Sequence, residues 1–276
     1  MDIFRRLLLP VSSEFFSEDA VRRAKKFVDV FGSEIYVVYI PEEKAIKKME
    51  EVSEPFLTEN QRERMEEVVR KLADNVGDII FDNMKKIIPL SNKEVRFGEF
   101  SDVIEEISER EGISCIVMGF ERECFIKYRL LEKITMPIWV EEGKGSTVVG
   151  VCSNLAPNLK VPSFTMEFAE KMGEDACLLY IIDTSEKVEV DERGNKLSRD
   201  MEELRKVASS FKERYKEKIR VEIVEGDMKE EIAKFAGEND ADVVIIGREM
   251  KRRGFFSREL RKGIVERAKH SILFLN

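Results

Sequence analysis

Residues 34–40, Glu-Ile-Tyr-Val-Val-Tyr-Ile, return as Asp-Ala-Cys-Leu-Leu-Tyr-Ile at 175–181, each copy shortly after a glycine, Gly32 or Gly173. A second pair of anchors follows. Gly98-Glu99, Ile104 and Ile116-Val117-Met118-Gly119 are answered by Gly226-Asp227, Ile232 and Val244-Ile245-Ile246-Gly247. An internal repeat of this length means one folding unit used twice. The unequal spacing between anchors places insertions between them. The openings Leu7-Leu8-Leu9-Pro10-Val11-Ser12 and Thr147-Val148-Val149-Gly150-Val151-Cys152 complete the match, and Glu141-Glu142-Gly143-Lys144-Gly145-Ser146 reads as a linker. The expected domains are residues 1–142 and 143–276. A chain of 276 residues has room for two such cores.

Within each half, short continuous apolar runs alternate with segments of helical period. That is the pattern of a parallel sheet buried on both faces by crossover helices. In the first half, strands are expected at Leu7–Val11, Ile35–Ile40, Glu94–Phe97, Cys115–Met118 and Ile138–Val140. Ala20, Val21, Ala24, Phe27, Val28 and Phe31 form one helical stripe, stopped by Gly32. Met65, Val68, Val69, Leu72, Val76, Ile79 and Ile80 form a longer one behind Thr58 and Gln61 at capping-box spacing, and Val103, Ile104 and Ile107 a third. The second half repeats the scheme, with Asp227 and Glu230 also at capping-box spacing. Two tandem doubly wound α/β domains follow, with any ligand beyond the carboxyl ends of the strands.

The order of these elements, with Leu-Leu-Leu-Pro-Val-Ser-Ser at 7–13 and the strand-end pairs Met118-Gly119 and Ile246-Gly247, resembles the universal stress protein family across essentially the whole chain, twice. The resemblance implies five-stranded parallel sheets of order 3-2-1-4-5, flanked by helices. It also implies pairing of domains through their last strands, here Pro137–Val140 and Ser271–Phe274, with Trp139 as anchor. Tandem fusion would satisfy that pairing within the chain, leaving a homodimer or another protein as further partners.

In that family the first strand usually ends in Pro-Val-Asp. The fourth is followed by Gly, two residues, Gly, nine residues, then Gly-Ser or Gly-Thr, a loop whose backbone N–H groups hold ATP phosphates. Here the aspartate positions are Ser12 and Cys152, the second-glycine positions are Arg122 and Met250, and Arg258-Glu259 stands where Gly-Ser belongs. Phe120 or Phe125 is expected to plug the first domain's empty site. In the second domain Gly254 and Gly263 remain, in or beside a run, residues 248–262, with seven basic and two acidic side chains. Arg and Lys there could replace backbone phosphate contacts. The candidate anion or nucleotide residues are therefore Val151, Cys152, Gly247, Arg248, Arg252, Arg253, Gly254 and Ser257, for ATP or AMP in domain 2. The competing reading of the basic run is a solvated surface.

Catalytic constellations are missing. His270 is the sole histidine and reads as structural. The cysteines at 115, 124, 152 and 177 form no CxxC pair, so zinc sites and the usual triads do not assemble. Adjacent glutamates such as Glu230-Glu231 diverge on a helix rather than share a substrate. A net charge of -8 argues against a nucleic-acid coat, and the apolar runs are too short to span a bilayer. The start lacks a signal peptide's long apolar region, which points to the cytoplasm. A single glutamine amid abundant Glu, Lys and Arg is a composition common in heat-adapted proteins. The sequence thus reads as a non-enzymatic stress, signalling or partner-binding protein, with an adenine-nucleotide sensor as the alternative.

Overall fold

A computed structural model describes residues 1–12, 16–41, 58–119, 131, 136–143, 145–155, 160–184, 187–191, 195–247 and 262–275. The chain divides into two compact units, Met1–Ile134 and Thr135–Asn276.

In the first unit, β1 (Arg6–Ser12), β2 (Glu34–Ile40), β3 (Asn92–Val95) and β4 (Cys115–Gly119) lie parallel in the order β3-β2-β1-β4. Apolar runs with both faces covered suit this arrangement: six of the seven β1 residues and all of β4 are buried. Helix α1 (Glu18–Phe31) begins where the Ser17 hydroxyl accepts the Ala20 N–H at 3.2 Å. It stops at Gly32, whose φ of 68° is the left-handed conformation that glycine adopts without a Cβ penalty. Helix α2 (Glu59–Lys85) opens with the expected Thr58/Gln61 capping box, and α3 (Phe100–Glu111) is capped by the Glu99 carboxylate. Strand β3 falls slightly earlier than the expected Glu94–Phe97, because pairing with β2 over Tyr36–Tyr39 sets its span.

In the second unit, β6 (Thr147–Ser153), β7 (Asp175–Asp183), β10 (Arg220–Gly226), β11 (Ala241–Gly247) and β12 (Ser271–Leu275) lie parallel in the order β10-β7-β6-β11-β12. Helices α4 (Lys160–Met172), α5 (Met201–Tyr215) and α6 (Met228–Glu238) and a short α7 (residues 262–267) accompany them. The full capping box of this unit is Asp200 with Glu203, at the start of α5. Asp227, expected to form one with Glu230, instead caps α6 alone, through Lys229 N and Glu230 N.

Both repeats follow the order 3-2-1-4-5, with β5 (Ile138–Glu141) the fifth strand of the first. Strand β5 pairs antiparallel with β12, Leu273 opposite Trp139, a departure from an all-parallel sheet. The pairing covers an edge that would otherwise present unpaired backbone groups. Within the segment read as a linker, Gly143 is closely packed. A Cβ at Gly143 would meet His270 Cα at 2.6 Å and Ser271 N at 2.9 Å.

A second antiparallel pair among the described residues was not anticipated. Strands β8 (Val188–Val190) and β9 (Lys196–Ser198) form a hairpin between β7 and α5.

Candidate functional site

In a doubly wound sheet the crevice for ligands opens at the carboxyl ends of the strands, where the chain order reverses. In the first unit that point lies between β1 and β4. Its described lining is Leu9, Pro10 and Val11 from β1, Val117, Met118 and Gly119 from β4, Phe16, Ser17, Ala20 and Val21 around the start of α1, and Met84. The recess they enclose is about 10 Å³, the space of roughly one water. Ser12, at the family's aspartate position, is buried at the end of β1. Phe120, Phe125 and Arg122 lie outside the described residues, and Phe16 and Met84 are among the described side chains that line the recess.

The second unit brings Val151, Cys152 and Gly247 to the corresponding place, with Val151 paired to Ile246 across β6 and β11. Val151 is fully buried and Cys152 nearly so. Burial pushes the Cys152 thiol up to about 12, so it is no nucleophile at neutral pH. Cys115 and Cys177 are buried thiols as well. Gly247 ends β11 half-buried. Arg248, Arg252, Arg253, Gly254 and Ser257 lie outside the described residues, as does Cys124. Among the described residues no cluster of His, Cys, Asp or Glu could hold a metal ion. No helix among them is long and apolar enough to cross a membrane.

The polar chemistry at these strand ends belongs to residues the sequence reading passed over. Asn154 follows β6 and is buried. Its Oδ1 accepts the Asp183 N–H at 2.7 Å, its Nδ2 donates to the Val188 carbonyl at 2.8 Å, and its own carbonyl accepts the Val190 N–H at 2.7 Å. One side chain thereby ties the ends of β6 and β7 to strand β8. Asp183, also buried, directs its Oδ2 at the Met228 N–H, 3.0 Å away, at the start of α6. The Ser153 hydroxyl accepts the Leu155 N–H at 2.9 Å. Asn154 is committed to the hairpin, Asp183 to the start of α6 and Ser153 to its own turn, so these contacts lie within the fold rather than toward a ligand on the β6–β7 side. An Asn just past an apolar run was a visible turn signal, but nothing in sequence pairs it with Asp183 and Val188.

Asn154→Leu is expected to leave the Val188 carbonyl and Asp183 N–H unpaired in a buried place. The expected loss is roughly 2–4 kcal/mol. Hydrogen exchange should show β8 and β9 opening well before the β6–β7 ladder. Unchanged protection in the hairpin would mean that Asn154 does not hold it.

The chain matches the sequence profile of the universal stress protein family over residues 3–138 and again over 148–268. Three solved structures share its fold end to end. A protein of Pseudomonas aeruginosa UCBPP-PA14, solved as a candidate universal stress protein, is 12% identical, with 99% of this chain and 93% of that one covered at a TM-score of 0.64. A functionally unknown protein of Pseudomonas aeruginosa PAO1 is 13% identical, covering 99% and 92%, at 0.63. A universal stress protein of Archaeoglobus fulgidus DSM 4304 is 13% identical, covering 98% and 96%, at 0.55. No curated protein sequence matches significantly.

Proposed function

The chain belongs to the universal stress protein family, twice over in tandem, and from that we infer a non-catalytic, cytoplasmic stress or signalling protein that binds a partner and has lost nucleotide use in its strand-end crevices. The observation that carries this reading is that Asn154, at the end of β6, is committed to the β8–β9 hairpin and to Asp183 rather than left for a ligand on the β6–β7 side. The small recess of the first unit, about 10 Å³, supports it. The burial of the one histidine and of the described cysteines supports the non-catalytic part.

The test is a melting curve with ATP, ADP or AMP. A micromolar site would add ~4 kcal/mol at millimolar nucleotide and raise Tm by roughly 8–16 °C. No shift is expected, and a shift of that size would overturn the reading.

A second reading keeps ATP or AMP as a ligand of the second unit through the basic run 248–262. It is favoured by the position of Gly247, which ends β11 beside β6 at the switch point and leads directly into that run. Its signature is a nucleotide shift that Arg252→Ala with Arg253→Ala abolishes and that raised salt weakens, since exposed ion contacts are screened.

A further inference from the structure

The strands of the second unit's parallel sheet are held by ladders of backbone bonds, but β8 and β9 are attached differently. Their own ladder spans three residues on each side. They pack on each other and, among the described residues, only sparsely on any other element. All of β9 is exposed, and Val190 is the buried residue of β8. A two-stranded pair this short does not hold itself in water. Its attachment therefore rests on a few side-chain contacts. Asn154 supplies bonds to Val188 and Val190. Arg199 supplies others at the base of the hairpin. Its N–H donates to the Lys187 carbonyl at 3.1 Å, and its guanidinium bridges Glu189 of β8 at 2.9 Å and Glu203 of α5 at 3.6 Å.

The chain is fixed on either side of the hairpin. Before it, Asp183 holds the start of α6, and the Thr184 N–H donates to the Gly226 carbonyl at 3.3 Å. After it, Asp200 and Glu203 form the box that starts α5. Two fixed ends with a sparsely packed middle make an element that opens locally while the sheet stays intact. Strand β8 lies at the end of the β6–β7 pair, where Cys152 and Tyr180 stand opposite one another in register, both buried. The Tyr180 ring packs against Phe211 of α5 at 5.0 Å. Burial, then Cys152 and the Glu189 carboxylate, push the Tyr180 phenol up, so β8 brings its charge close to that ring.

We propose that the β8–β9 hairpin is a gate, latched by Arg199 between Glu189 and Glu203, whose opening bares the β6–β7 strand ends at Cys152 and Tyr180 and frees the Asn154 amide. The latch is ionic and partly exposed, with the three side chains 34%, 23% and 46% accessible, so screening by salt loosens it. The device rests on these contacts and not on whether either unit binds a nucleotide.

Alkylation by iodoacetamide in low urea, with each cysteine followed by peptide mass, reads the gate. Local opening exposes little surface, so the Cys152 rate should be nearly independent of urea, whereas that of Cys177, inside the β6–β7–β10 ladders, should climb steeply with global unfolding. Arg199→Ala should raise the urea-independent Cys152 rate about threefold, the scale of an exposed ion pair. Raising salt from roughly 0.05 to 0.5 M should do the same in wild type and nothing further in the variant. Equal, steep urea dependence at Cys152 and Cys177 overturns the proposal, because the thiol is then reached only by global unfolding. A urea-independent Cys152 rate that ignores Arg199→Ala overturns it too, by placing the opening elsewhere than the hairpin. A rate that responds to Arg199→Ala but not to salt overturns the ionic latch.

Discussion

Trp139→Ala is expected to lower stability by about 3–5 kcal/mol, the cost of emptying a large core site. Trp139 has no exposed surface, and its ring lies 5.8 Å from that of Phe168 on α4. Its indole N–H also donates to Glu141 Oε2 at 2.5 Å, and that same carboxylate oxygen accepts the Ser271 hydroxyl at 3.0 Å. Ser271 in turn accepts the N–H groups of Glu142 and Gly143 at 3.3 and 3.2 Å. One side chain therefore joins an apolar contact to the polar network that closes β5 onto β12. Trp139→Phe keeps most of the volume and removes the donor from a buried carboxylate, for an expected loss of about 1–3 kcal/mol. Urea unfolding followed by circular dichroism checks both variants, since the sole tryptophan is the residue replaced. Losses below about 1 kcal/mol in both would show that the β5–β12 seam is not part of the folded core.

Acidification from pH 7 to pH 4 is expected to remove about 3 kcal/mol through His270 alone. The ring is 4% exposed at the start of β12, and its Nε2 has no hydrogen-bond partner among the described residues. Burial pulls its pKa down from 6.5 to about 4. The folded chain therefore keeps the ring neutral while the unfolded chain takes up a proton. Its contribution is fully present above pH 6.5 and is lost as the pH falls from there through 4. His270→Gln removes the titration and leaves the other acids in place. The stability gap between wild type and variant should narrow, or reverse in favour of the variant, by about 3 kcal/mol over that window. Parallel pH profiles would refute the assignment.

The fold was readable because its determinants are local and repeated. Apolar runs of strand length alternate with stripes of helical period, and Gly32 and Gly173 stop helices by taking φ values of 68° and 69°. The equivalence of 34–40 and 175–181 is realised as β2 and β7, each second in its repeat. Motif departures were equally readable, since Ser12, Arg122, Cys152 and Met250 stand at identifiable positions. The inserted hairpin was not. Strands β8 and β9 have three residues each, and Leu197 of β9 is exposed, so they lack the apolar alternation that announces a strand. Asn154 was missed for a related reason. Its role depends on three backbone groups at Asp183, Val188 and Val190, brought together by β7 and the turn after it.

By itself the sequence determined the duplicated α/β architecture, the helix limits and the loss of the family's aspartate and glycine pattern, because periodicity, caps and motif spacing act between near neighbours along the chain. The tertiary structure alone decided which polar groups are spent on the fold. Asn154 holding a hairpin, Glu141 gripped by Trp139 and Ser271, and His270 buried neutral are outcomes of contacts between distant segments. Hydrophobic patterning says that a side chain belongs to a buried or exposed face, but the hydrogen bonds and neighbours that give a polar group its role exist only once the sheet has brought those segments to one place.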